Sequence, residues 1–129
     1  MESKIGFYLE QLQKISEVKA QRDIQGTWYK NNLTYLDAFV DEIEEVKFEI
    51  KAERNCFLED ELGDLLWNYV CLLEHLELEG KVTKEKVFIR ALKKYSERVT
   101  KRNSQGSWDD IKERQKTELL DEYHKSIKK

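Results

Sequence analysis

The chain has 129 residues with no proline, five glycines, 38% charged and 40% hydrophobic residues, which points to one compact helical domain and leaves no room for two. Its net charge of −3, without a long basic run, argues against a nucleic acid polymer as partner. Two cysteines, Cys56 and Cys71, are too few for a disulfide scaffold or a zinc site, and no apolar run approaches ~18 residues. With no signal-type apolar start either, a soluble cytoplasmic protein away from the membrane is expected.

The predicted elements follow in chain order. Ile5, Tyr8, Leu9, Leu12 and Ile15 recur at helical spacing, giving a first helix from Ser3 to about Arg22 that ends before Gly26. A second stripe, Leu36, Phe39, Val40, Ile43, Val46 and Ile50, is expected to be capped by Asn31, Asn32 or Thr34. Asn55 is the expected cap of a third helix whose apolar residues, Phe57 through Leu76, cover most of its circumference, so that helix should be central. Gly63 in its middle is read as a point of close helix packing, with room beside a bound group as the alternative. Gly80 should end it, and Thr83 should cap a fourth helix with Val87, Phe88, Ala91, Leu92, Tyr95 and Val99 facing inward. After the Asn103-Ser104-Gln105-Gly106 loop, Ser107 and Asp110 read as a capping box opening a largely polar last helix to about Ile127. With charge this high, the core is expected to be completed by a partner subunit, as a homodimer or tetramer.

Two acidic signatures stand out: Asp41-Glu42-x-x-Glu45 on the second helix and Glu61-x-x-Asp64 on the third. Residues three apart share a helix face, so Glu42 with Glu45, and Glu61 with Asp64, each present two carboxylates in one direction. If the chain reverses near Arg54 to Cys56, both pairs lie roughly 14 Å from the bend at about 1.5 Å per residue, and they face each other. Four carboxylates so placed repel unless a cation holds them. Oxygen-only ligation favours a hard ion, Mg²⁺ or Mn²⁺. Glu49, seven residues after Glu42, lies near the same face as a further ligand or a supporting group. Asn68, four residues after Asp64, points toward the same site. Lys94 and Arg98 share one face of the fourth helix.

The order Asp41-Glu42-Ile43-Glu44-Glu45, then Glu61-Leu62-Gly63-Asp64, resembles the E-E-x-x-E and E-L-G-D pair of the MazG family of nucleoside triphosphate pyrophosphohydrolases. Lys94-Tyr95-x-x-Arg98 resembles that family's basic pair, and Trp108-Asp109-Asp110-Ile111-Lys112 its W-E-x-I-K segment. The likeness spans roughly Gly26 to Glu118. It departs at Asp41, usually Glu; at Val99 to Arg102, where many members carry His-Pro-His; and at Gly26-Thr27-Trp28-Tyr29, a reduced form of Cys-Pro-Trp-Asp.

The resemblance implies an all-α, MazG-like bundle of about four core helices plus a C-terminal helix, completed by oligomerisation. The single domain would comprise an N-terminal helix (1–25), a metal and substrate core (26–102) and a C-terminal segment (103–129). It further implies Mg²⁺-dependent hydrolysis of nucleoside triphosphates between the α and β phosphates, giving a monophosphate and pyrophosphate, in a house-cleaning role. Glu42, Glu45, Glu61 and Asp64 would hold the metal, and Asp41 or Glu45 would orient or deprotonate the attacking water. Lys94 and Arg98 would balance charge on the departing pyrophosphate. Asn68 would bond a metal-bound water or a substrate hydroxyl, and Trp28 would stack on the base or else fill core. A narrower substrate (dCTP, dUTP or phosphoribosyl-ATP) and a non-enzymatic helical interaction module are the alternatives. A di-iron centre needs two Glu-x-x-His pairs, which the chain lacks.

Overall fold

The computed structural model describes residues 2–128, and among these the fold is all α, with no strand. The chain divides into two compact units, one ending at Lys84 and the other beginning at Glu85. No helix among the described residues is long and apolar enough to cross a membrane.

The first unit holds α1 (Ile5–Gln25), α2 (Thr34–Ala52) and α3 (Asn55–Leu78). As its near-continuous apolar surface requires, α3 is central and packs against both α2 and α1. Buried Tyr35, Val70, Cys71, Leu73 and Ala20 form the small apolar core. Polar residues are buried with them: Ser16, Asp23, Asn68, Glu74 and His75.

Several expected caps are corrected. Leu33, not an Asn or Thr, occupies the N-cap of α2 and makes no side-chain cap. Asn31 Oδ1 accepts instead from Leu33 N–H at 2.8 Å and Thr34 Oγ1 from Lys30 N–H at 3.1 Å, so these side chains close the turn ahead of the helix. Arg54 holds the N-cap position of α3, and Asn55 is already helical. The reversal between α2 and α3 therefore takes only two residues. Glu53 adopts the left-handed conformation (φ 56°), its N–H bonding Glu49 O at 3.1 Å, and Arg54 is extended. Arg54 then braces the turn: its guanidinium bonds both oxygens of buried Glu49 and lies 4.0 Å over the Phe57 ring.

Gly80 (φ 74°) ends α3 as expected, with Gly80 N–H bonding Glu77 O and Lys81 N–H bonding Leu76 O. Close packing at Gly63 is not met within this chain, since a Cβ there would find no atom within 4 Å.

α4 (Lys84–Tyr95), all but its first residue in the second unit, runs without a break into a π-helical turn, Ser96–Thr100, and α5 (Trp108–Ile127) packs against that turn. The Ser107–Asp110 capping box is present in full. Ile111 of α5 is completely buried. The stripe expected to face inward on α4 is open: none of its residues is buried, and Leu92 is 75% exposed.

Candidate metal centre and the cleft beside it

The short α2–α3 turn places the two acidic faces against each other. Oxygens of Glu42, Glu61 and Asp64 lie within 4.8 Å of one another, each residue half-buried. Glu42 Oε2 is enclosed with no hydrogen-bond partner, an arrangement that is costly unless something positive sits against it. Close approach to Glu42, then partial burial and the charges of Glu42, Asp64 and Glu45, push the Glu61 carboxyl up to about 7. Without a cation the group can relieve its repulsion only by sharing a proton. All donors are carboxylate oxygens, so the residues fit a hard divalent ion.

Glu45 stands outside this tight trio, although its charge reaches Glu61. Asp41 is exposed on α2. Glu49, read as a further ligand or supporting group, is committed to Arg54 at the turn instead.

Glu42 also lines an open cleft of about 450 Å³ with Lys19, Trp28, Tyr35, Trp67 and Asn68. Trp28 is 53% exposed and meets Tyr35 edge-on at 5.1 Å, so it is a cleft wall and not core. Asn68 is buried and turned to this cleft. Behind the wall lies a polar cluster that sequence reasoning missed. Asp23 accepts from Lys19 Nζ and from the Tyr35 hydroxyl, and His75 Nε2 lies 2.9 Å from its Oδ2. Tyr29 stacks on His75 with centroids 3.9 Å apart. Burial alone would raise the Asp23 pKa, but the bonds from Lys19, Tyr35 and His75 outweigh it and hold the carboxyl below its ordinary value. Burial likewise pushes the neighbouring Cys71 thiol up to about 12, leaving it inert at neutral pH. The i,i+4 spacing of Lys19 and Asp23 was the one signal available, and it reads equally well as a solvated pair.

In the second unit Lys94 and Arg98 do share one cleft, of about 400 Å³, with Lys93, Lys112, Gln115 and Lys116. Arg98 is buried, at 9% exposure, donates through Nε to Gln115 Oε1 at 2.7 Å, and lies 5.4 Å from the Trp108 ring centre. Gln115 is fixed in turn by the Lys94 carbonyl and by Glu97. The Trp108-to-Lys112 segment thus has a structural account: Trp108 faces the guanidinium, Ile111 anchors the helix and Lys112 lines the cleft.

Residues 30–103, more than half of the chain, match the MazG nucleotide pyrophosphohydrolase domain. The chain belongs to the MazG family. All four expected metal carboxylates and the basic pair fall inside the MazG match, whereas Trp28 and the Trp108 segment lie outside it. No curated protein and no solved structure matches the chain significantly. MazG membership suggests a nucleotide pyrophosphohydrolase, and the acidic cluster is of the kind that binds metal.

Proposed function

We propose that this MazG protein is a Mg²⁺-dependent nucleoside triphosphate pyrophosphohydrolase that yields a nucleoside monophosphate and pyrophosphate. The observation that carries this reading is the Glu42, Glu61 and Asp64 trio within 4.8 Å around an unpartnered oxygen. Glu45 would be the fourth ligand, and Mn²⁺ would serve in place of Mg²⁺. When bound, the ion supplies neutralisation of phosphate oxygens and lowers the pKa of water.

The chain's own groups do the rest. Asp41 or Glu45 accepts the proton of the attacking water, whose oxygen bonds to the α phosphorus as the bridging bond to the β phosphate breaks. The pyrophosphate takes the electron pair of that bond, and Lys94 and Arg98 answer its charge, Arg98 through paired donors fixed by Gln115. Trp28 stacks on the base and Asn68 bonds the substrate beside the carboxylates. A homodimer or tetramer, active in the cytoplasm and clearing unwanted nucleotides, completes the reading.

Incubation with a panel of triphosphates should release pyrophosphate, and EDTA should stop it; orthophosphate as the product would overturn the reaction. Glu61→Gln and Asp64→Asn should each cut turnover by about 100-fold or more with the helical circular dichroism intact, because each removes repulsion instead of a packing contact. Full activity in both variants would reject the site.

A further inference from the structure

The cleft beside the carboxylates contains a buried polar group with nothing to bond. Asn68 is 8% exposed, yet among the described residues its amide has no hydrogen-bond partner. Neither of its polar atoms is sealed off, since Glu42 Oε2 is the one enclosed unpartnered side-chain atom among those residues. The amide therefore opens onto the cleft that it lines. An amide held by no internal bond and open to the cleft suits an occupant that offers both a donor and an acceptor.

Lys19 lines the same cleft from α1. Its ammonium has three N–H groups. Two are spent on Asp23 and on the Tyr35 hydroxyl, and the third has no oxygen acceptor among the described residues. Asp23 is itself held by Tyr35 and His75, so this ammonium is anchored instead of swinging in solvent. The same ammonium lies 4.6 Å from the centre of the Trp28 ring and covers one of its faces, which leaves the other face, with Trp67, as the cleft's aromatic surface for a flat ring.

We propose that this cleft receives the base of the nucleotide, and that Lys19 and Asn68 select the C=O/N–H/C=O edge shared by uracil and thymine. The inference rests on the pyrophosphohydrolase reading and adds the substrate class to it. An ammonium only donates, so it meets a carbonyl oxygen and rejects an exocyclic amine. Asn68 accepts from the ring N–H through its oxygen and donates to the second carbonyl through its nitrogen. Together they form a donor–acceptor–donor array that uracil and thymine complete. Cytosine and adenine turn an amine toward that array, and guanine supplies one carbonyl with an amine on the far side of its ring N–H.

The test uses two readouts on the full chain. Pyrophosphate release is compared for dUTP, dTTP, dCTP, dATP and dGTP, and base binding is followed without metal, in EDTA, by quenching of tryptophan fluorescence with the five monophosphates. The expected result is a preference of at least roughly tenfold for uracil and thymine in both. Lys19→Met and Asn68→Ala should each reduce that ratio toward one. Asn68→Ala removes no internal bond, so it decides the matter if Lys19→Met does not fold. Pyrophosphate from all five substrates at similar kcat/KM, or an unchanged ratio in folded variants, overturns the base assignment while the pyrophosphohydrolase reading stands. A product other than pyrophosphate overturns that reading, and absence of uracil or thymine preference in the quench then overturns this one separately.

Discussion

Asp23 is closed in by Lys19, Tyr35 and His75, and its carboxylate is the hub that ties α1 to α2 and α3. Its folded pKa lies below the unfolded value, so the charged form is favoured by folding. The stability this gives is complete above the unfolded value of about 3.9 and is lost as pH falls through the lower folded value. A urea titration repeated from pH 6 downward should show stability dropping below about pH 4, with Asp23→Asn flattening that drop. Asp23→Ala, which strands the Lys19 ammonium and the Tyr35 hydroxyl, should cost about 3 kcal/mol at neutral pH. Beyond the i,i+4 step from Lys19 to Asp23, none of this was legible in advance. Tyr35 and His75 are 12 and 52 residues from Asp23, and periodicity marks apolar faces without telling which polar groups go in with them. Glu61 and Asp64 were legible as a pair because a three-residue step on a helix dictates a shared face, and Glu42 joins them only through the α2–α3 reversal, which leaves its own helix partner Glu45 outside the trio.

At the scale of elements, the α2–α3 hairpin was foreseen to within a residue or two, and its chemistry was not. A left-handed residue is ordinarily signalled by Gly or Asn. Here Glu53 takes that role, and Arg54 stabilises the turn through buried Glu49. Arg54→Ala leaves the Glu49 carboxylate buried without its partner and should lower the midpoint of chemical denaturation, by less than a fully enclosed pair would because the guanidinium is half-exposed. An unchanged midpoint would show that the brace is dispensable. At Gly63 the open space around a would-be Cβ leaves helix propensity as the deciding term, so Gly63→Ala should stabilise by about 1 kcal/mol, seen as a raised Tm. A lowered Tm would mean that another surface closes onto that point.

Considered whole, the chain leaves much apolar surface open: Ile5, Tyr8 and Ile15 on α1, Val40 and Phe48 on α2, Leu66 on α3, and Leu92 on α4. The amphipathic patterns marked where apolar residues recur but not which face is buried: α1 buries Ser16, Ala20 and Asp23 while Ile5, Tyr8 and Ile15 stay exposed. They did not tell what covers each stripe, because a stripe against a neighbouring helix and one against a second subunit read alike. On the proposed dimer or tetramer, sedimentation at micromolar concentration should give a mass at least twice that of the chain, and a monomer would refute it.

The turn at Ser96–Thr100 carries a consequence for how the chain tolerates length changes. Its wider coil accommodates one residue more than an ordinary helical turn, and each residue accounts for about 100° of rotation. Excising a single position there would re-phase everything after it, unseating the guanidinium of Arg98 from Gln115 even though no charged group had been touched. Indels in this short stretch should therefore be tolerated far worse than in the Lys101-to-Gly106 loop that follows it.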